Sequence, residues 1–232
     1  MNKKASQNSN SNTLHTVRVW DLPTRVFHWA LVLGIVGLVI TGNVGGNAMV
    51  WHFRFGLTVL SLLLFRLVWG LVGGRWSRFA SFVYSPRSLI NYVKGNGEPQ
   101  HSVGHTPLGA GSVFALMAIL LAQVGSGLFS DDEIASAGPL TRFVSGATVN
   151  LATNYHKNIG KWIVLALVLL HVAAILFYLW RKHNLIRPMV HGDKQLTYLA
   201  PSSRDDAVSR TAAALVFGVC AGGVFWGAKL VG

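Results

Sequence analysis

Trp51-His52-Phe53-Arg54-Phe55-Gly56 leads into one long apolar run of this chain, and Tyr155-His156-Lys157-Asn158-Ile159-Gly160 leads into another. Each phrase sets a histidine behind an aromatic residue and a glycine four positions after it. Two more histidines belong with them: His28 at the start of a third run, and His171 in the middle of the run that follows His156. Ionisable side chains in a bilayer are costly and normally face a protein interior where something binds them. Four imidazoles on three helices therefore predict two metal centres, each held from opposite sides.

The runs themselves set the architecture. Val26–Gly42, Thr106–Ser130, Trp162–Trp180 and Thr211–Ala228 contain no Asp, Glu, Lys or Arg, and Phe55–Val72 contains only Arg66. Each reaches the roughly 17-residue lower limit for a helix that crosses the hydrocarbon core. Backbone in lipid must satisfy its own hydrogen bonds, which a helix does. Of the 232 residues, 51% are hydrophobic and 12% charged, about half the charged share usual in a soluble domain. The expected fold is an all-α integral membrane protein with five transmembrane helices.

The net charge of +12 is distributed by loop and forms no nucleic-acid footprint. Lys3, Lys4, Arg18 and Arg25 precede the first run; Arg75, Arg78, Arg87 and Lys94 follow the second; Arg181, Lys182, Arg187, Lys194, Arg204 and Arg210 lie between the fourth and fifth. The intervening loops are poor in Lys and Arg, and one carries Asp131-Asp132-Glu133. The positive-inside rule then places the N-terminus of a multi-pass protein in the cytoplasm and the C-terminus across the membrane. No signal peptide is expected, because the Asn- and Ser-rich opening lacks an apolar core and a cleavage site. The polar arm over 1–17 is expected to be disordered. Cys220 is the only cysteine, which excludes an internal disulfide and a Cys-x-x-Cys-His attachment of c-type haem.

This topology puts His52 and His156 at one depth, on the extracytoplasmic side, and His28 on the cytoplasmic side. His171 lies 15 residues beyond His156, about 22 Å along a helix at 1.5 Å per residue. The pairs are then His52 with His156 and His28 with His171. A structural zinc wants four N or S ligands, and each depth offers two imidazoles. Haem brings four nitrogens of its own and asks the protein for one or two axial ligands. Two non-covalent, bis-histidine haems b stacked across the membrane are the expectation. Gly56 and Gly160, one turn beyond His52 and His156, would let a flat macrocycle lie close to the helix; Gly34, Gly37, Gly125 and Gly127 would do the same or permit close helix packing. Arg54, Lys157 and Lys161 are candidate propionate partners on the outer side, and Arg25 and Arg66 on the inner side. His15, His101, His105, His183 and His191 read as solvated loop residues.

Five stretches together resemble the bacterial cytochrome b561 family, which includes the b-type cytochrome subunits of nickel-iron hydrogenases. They are Trp20–Trp29 (WDLPTRVFHW), the His52-x-x-x-Gly56 opening, Gly104–Gly109 (GHTPLG), the His156/His171 run and Arg187–Lys194 (RPMVHGDK). The resemblance covers roughly 18–195, leaving 196–232 as a cytoplasmic linker and the fifth helix. It implies a four-helix haem-binding transmembrane bundle with two bis-histidine haems b that carry electrons between membrane quinone and a redox partner, plus a fifth C-terminal transmembrane helix outside that core. Within the family the chain most resembles members associated with periplasmic c-type cytochromes more than with hydrogenase, and the resemblance implies a bacterial inner membrane with the C-terminus in the periplasm. Bis-histidine ligation leaves no open iron position, so electron relay is the leading expectation. The alternatives are oxidation of a small molecule such as superoxide with quinone as acceptor, and a non-redox metal permease or scaffold.

Overall fold

The computed structural model describes residues 13–98, 101, 103–132 and 136–231. In chain order the main elements are β1 (His15–Arg18), α1 (Leu22–Val44), α2 (Met49–Val72), α3 (Pro86–Val93), α4 (Pro107–Leu128), α5 (Gly146–Asn154), a π-helical turn (Tyr155–Gly160), α6 (Lys161–Trp180), α7 (Ile186–His191), β2 (Asp193–Leu196) and α8 (Ala207–Val231). Helix α5, the π turn and α6 run on as one 35-residue helical segment, Gly146–Trp180. That segment, α1, α2, α4 and α8 are long and apolar enough to cross a membrane, as the sequence predicts.

The helix starts follow local chemistry. Asp21 caps α1 by accepting from the Thr24 N–H at 3.0 Å, with Pro23 in the first turn, where a missing donor costs nothing. Thr106 caps α4 in the same way through Gly109 N–H at 3.1 Å, ahead of Pro107. Helix α1 ends at Gly45, whose φ of +67° suits a residue without Cβ.

Four helices share one core. Val59 and Leu63 of α2, Leu120 and Val124 of α4 and Val164 of α6 are buried together, with Ile35 and Leu38 of α1 packed against them. Helix α8 lies outside this bundle, where Ala213 meets Phe27, Leu62, Phe65 and Trp69 of α1 and α2. The opposite faces expose Leu33, Leu71, Leu169 and Val219, as surfaces that meet lipid rather than water do.

One end is capped by structure that the apolar pattern does not foretell. Strands β1 and β2 pair antiparallel, with His15 opposite Leu196 and Arg18 opposite Asp193. Val17, Val19, Trp20, Val103 and Leu196 form a small core beside them. Asp205, its side chain 6% exposed, accepts from Arg18 Nη1 (2.7 Å), Arg210 Nε (3.0 Å) and Leu22 N–H (3.1 Å). One carboxylate thereby ties β1 to the starts of α1 and α8. Residues 1–12 of the expected arm lie outside the described residues; ordered structure begins before residue 18, because His15–Arg18 finds a strand partner.

Candidate functional site

At the end of the bundle away from the sheet, His52 enters from α2 and His156 from the π turn. Their ring centres lie 6.1 Å apart with planes at 90°. Both line a cavity of about 640 Å³ between α1, α2, α4 and α6, within the roughly 300–1,000 Å³ of small-molecule sites. The walls are mostly apolar, including Ile35, Val59 and Leu165, and the rim carries Lys157 and Lys161.

Each ring is held by the same device on a neighbouring helix. His52 Nδ1 lies 3.1 Å from the Leu38 carbonyl and 3.3 Å from Thr41 Oγ1 on α1. His156 Nδ1 lies 2.8 Å from the Gln123 carbonyl and 3.3 Å from Ser126 Oγ on α4. A carbonyl only accepts, so both Nδ1 atoms carry the proton and donate it. Nε2 is left as the free coordinating nitrogen of each ring. One residue further on, a Cβ at Gly42 would stand 3.0 Å from His52 Cε1, and one at Gly127 would stand 2.8 Å from His156 Cε1. Carbonyl, hydroxyl and glycine recur at i, i+3 and i+4 on α1 (Leu38, Thr41, Gly42) and α4 (Gln123, Ser126, Gly127).

The π turn belongs to this arrangement. Such turns break the i→i−4 ladder and recur at functional sites. Here the Gln123 side-chain amide donates to the His156 carbonyl at 3.0 Å. The same residue thus holds the ring through its backbone and the turn through its side chain.

These donors suit haem. With metal–imidazole nitrogen bonds of about 2.0–2.1 Å, two imidazoles on opposite sides of one metal have ring centres roughly 6 Å apart, and 6.1 Å is found. Among the described residues no three His, Cys, Asp or Glu side chains gather into a metal site. A pair of imidazoles in a large apolar cavity matches a metal that brings its own equatorial nitrogens.

The second pair lies nearer the sheet end. His28 sits on α1 beside Trp29, with its Nδ1 buried and unpartnered, and His171 of α6 is within electrostatic reach of it. Arg66 of α2 is 3% exposed and lies over the Phe79 ring at 4.7 Å. Close by, Asp21 is fully buried and accepts from Trp69 Nε1 (3.1 Å) and Gly74 N–H (2.9 Å) besides Thr24.

The remaining candidates divide. Lys157, Lys161 and Gly56 line the cavity, and a Cβ at Gly56 would meet nothing within 4 Å. Arg54 is exposed and lies over the Trp51 ring at 4.9 Å, away from the cavity lining. Gly160 packs against Gln123 and Tyr155, so its missing side chain serves helix packing rather than the cavity. Gly34 and Gly37 likewise receive Val59 and Phe55 of α2. Arg25 donates to the Val190 carbonyl at 2.8 Å and lies 3.7 Å from Asp205, tied into the sheet end. Asp131 and Asp132 line the cavity mouth; Glu133 lies outside the described residues.

His105 corrects the sequence reading. It is no solvated loop residue: its ring packs between Phe82 (4.3 Å) and Trp20 (4.6 Å), with Nδ1 buried. Burial, then the nearby Arg66 and His171, push the imidazole down to about 3, so it is neutral at physiological pH. The basic loop around it hid the aromatic cage that the fold assembles. The hydroxyls and carbonyls at Leu38, Thr41, Gln123 and Ser126 were also missed, since they look like ordinary helix interior.

A family model described as prokaryotic cytochrome b561 matches residues 19–192. The chain is 26% identical over 191 residues to the "Probable Ni/Fe-hydrogenase 1 B-type cytochrome subunit" of Escherichia coli (strain K12), covering 66% of this chain and 80% of that protein. It is 23% identical over 215 residues to the "Probable Ni/Fe-hydrogenase B-type cytochrome subunit" of Rhodobacter capsulatus, covering 77% and 81%. A relative in Azotobacter vinelandii with the same description is 26% identical over 211 residues, covering 76% and 87%. No solved structure matches.

Proposed function

The chain belongs to the prokaryotic cytochrome b561 family, and from that premise we propose that it is a di-haem relay between the quinone pool and an extracytoplasmic redox partner. Membership makes it a multi-pass membrane b-type cytochrome that moves electrons across the membrane. The finer reading gives His52 and His156 to an outer haem and His28 and His171 to an inner one. Haem supplies reversible one-electron chemistry at iron.

The protein's part is binding, orientation and exclusion of water. The single observation carrying the reading is the His52–His156 pair, 6.1 Å apart, each ring fixed through Nδ1 by a carbonyl and a hydroxyl. Hydrogen bonds of this kind hold the ring's tautomer and orientation and raise the basicity of the free nitrogen. Lys157 and Lys161, which line the cavity, would pair with the carboxylates of an outer haem, and Arg66 would do so for an inner one. Two imidazoles per iron leave no place for oxygen to bind, which favours relay over small-molecule oxidation such as that of superoxide. A permease reading has no support from family membership.

In this reading the sheet end is cytoplasmic, because Arg18, Arg75, Arg78, Arg181, Lys182 and Arg187 collect there. The outer cavity then opens to the periplasm, where Asp131 and Asp132 would meet a basic c-type cytochrome. A second partner is favoured by the relatives' descriptions: a nickel-iron hydrogenase docking at the same face. Reduction of the purified protein by a quinol analogue, followed by oxidation with c-type cytochromes, tests the first. Absence of any b-band reduction by quinol defeats the quinone link. Reduction from hydrogen only with hydrogenase added selects the second partner.

A further inference from the structure

Around the outer histidines the Nδ1 donors find acceptors; at the inner His28 the Nδ1 does not. Arg66 Nη1, His105 Nδ1 and His28 Nδ1 are all buried without a hydrogen-bond partner. Arg66 is 3% exposed and lies over the Phe79 ring at 4.7 Å, with the charge of Asp21 acting on it and no hydrogen bond to Nη1. Phe79, over which Arg66 lies, meets Phe82 at 5.9 Å, and Phe82 meets the His105 ring at 4.3 Å, so Arg66 and His105 share one aromatic cluster, with His171 within electrostatic reach of His105.

Among the described residues, the buried carboxylate whose charge acts on Arg66, that of Asp21, already has its hydrogen bonds filled. Asp21 Oδ1 accepts from Thr24 N–H and Ser77 Oγ, and Oδ2 from Trp69 Nε1 and Gly74 N–H. A buried guanidinium nitrogen with no acceptor is costly, and native interiors pair such groups. The cluster therefore offers donors and positive charge to a negative acceptor that must come from a ligand. His105 is held for this by the Phe82 and Trp20 rings, while its carbonyl accepts from the Tyr84 hydroxyl at 2.8 Å.

We infer that Arg66 and His105 together hold a carboxylate of the inner haem, making His105 a cofactor-anchoring residue of this protein. The inference rests on the proposed His28–His171 ligand pair. Arg66 supplies charge and a planar donor fork, and His105 supplies one directed N–H from a rigid cage. An anionic lipid headgroup carries similar chemistry, and the test separates the two sources.

The test uses a His52→Ala background, which retains only the inner haem on the proposed pairing. Haem dissociation to apomyoglobin and the midpoint potential are measured with and without His105→Leu. The expected result is faster haem loss, by tenfold or more, and a lower potential, since a carboxylate left less compensated favours the ferric state. His105→Gln, which keeps an N–H donor, should restore most of both. In the unsubstituted protein, iron protoporphyrin dimethyl ester should leave the inner site faster than haem b, and His105→Leu should add nothing to that loss. This arm needs no variant to show the carboxylate's role. Equal behaviour of ester and haem, or an effect of His105→Leu that persists with the ester, overturns the assignment. So does an effect that appears only in phosphatidylglycerol and vanishes in phosphatidylcholine, which assigns the pair to a lipid phosphate. If the His52→Ala background holds no haem at all, the ligand pairing falls, and this inference with it.

Discussion

His52 and His156 reach the same cavity from different helices, and each donates its Nδ1 proton to a backbone carbonyl of a third or fourth helix, Leu38 on α1 and Gln123 on α4. The site is thus built by two helix pairs in the same way, α1 with α2 and α4 with the π turn. Loss of either ring removes half of a matched clamp.

His52→Ala and His156→Ala should each lower haem content by the same single haem, while His28→Ala and His171→Ala each remove the other. Pyridine haemochrome assays with reduced spectra check this. Loss that pairs His52 with His28 would refute the assignment by depth.

Gly127→Ala should disturb the outer site more than Gly42→Ala, because its Cβ would stand 2.8 Å from the ring rather than 3.0 Å. Overpacking of this kind costs about 1–3 kcal/mol. The readout is selective loss of outer haem with the inner spectrum unchanged. Full occupancy in Gly127→Ala would mean the ring has room that the geometry denies.

Thr41→Val and Ser126→Ala remove the hydroxyl facing each Nδ1 at 3.3 Å and leave the carbonyl in place. Haem should be retained, and the outer midpoint potential should rise as each imidazole becomes a weaker electron donor. Redox titration reads this; an unchanged potential in both variants would make the hydroxyls packing groups only.

Asp205→Asn should destabilise the sheet end by about 1.5–3 kcal/mol, the usual worth of a hydrogen bond to a charged group. Burial alone would raise this carboxyl, but hydrogen bonds from Arg210 and Leu22 and the charges of Arg210 and Arg18 outweigh it and hold it below the ordinary value. A depressed carboxyl contributes stability that is fully present above its unfolded value, about 3.9, and is lost as pH falls through the folded value. Thermal melts should therefore fall on acidification below about pH 4 in the parent and less steeply in Asp205→Asn. Parallel pH profiles would contradict the ion-pair knot.

A reporter fused after Gly232 should be active only in the periplasm, and one inserted in the exposed Gly95–Gly97 turn only in the cytoplasm. Cytoplasmic activity of the first fusion would mean that α8 does not span.

The membrane architecture is legible in the order of residues alone, because uncharged runs of spanning length admit only helices in lipid, and five such helices are found among the described residues. The closeness of His52 and His156, 6.1 Å between ring centres, is legible there too, since two helix starts at one depth bring their histidines to one level. Tertiary structure alone decided what surrounds them. Thr41 and Ser126 are unremarkable helix residues until α2 and the π turn bring an Nδ1–H within 3.3 Å of each. Gly160 looks like the twin of Gly56 in sequence, yet the π turn redirects it against Gln123. His105 sits in a polar loop by pattern and in an aromatic cage in space, because Trp20 and Phe82 approach it from distant parts of the chain. Periodicity and charge report a residue's own helix and its depth. They carry no record of the long-range contacts that fix a ring's proton, bury a cation or close a strand pair.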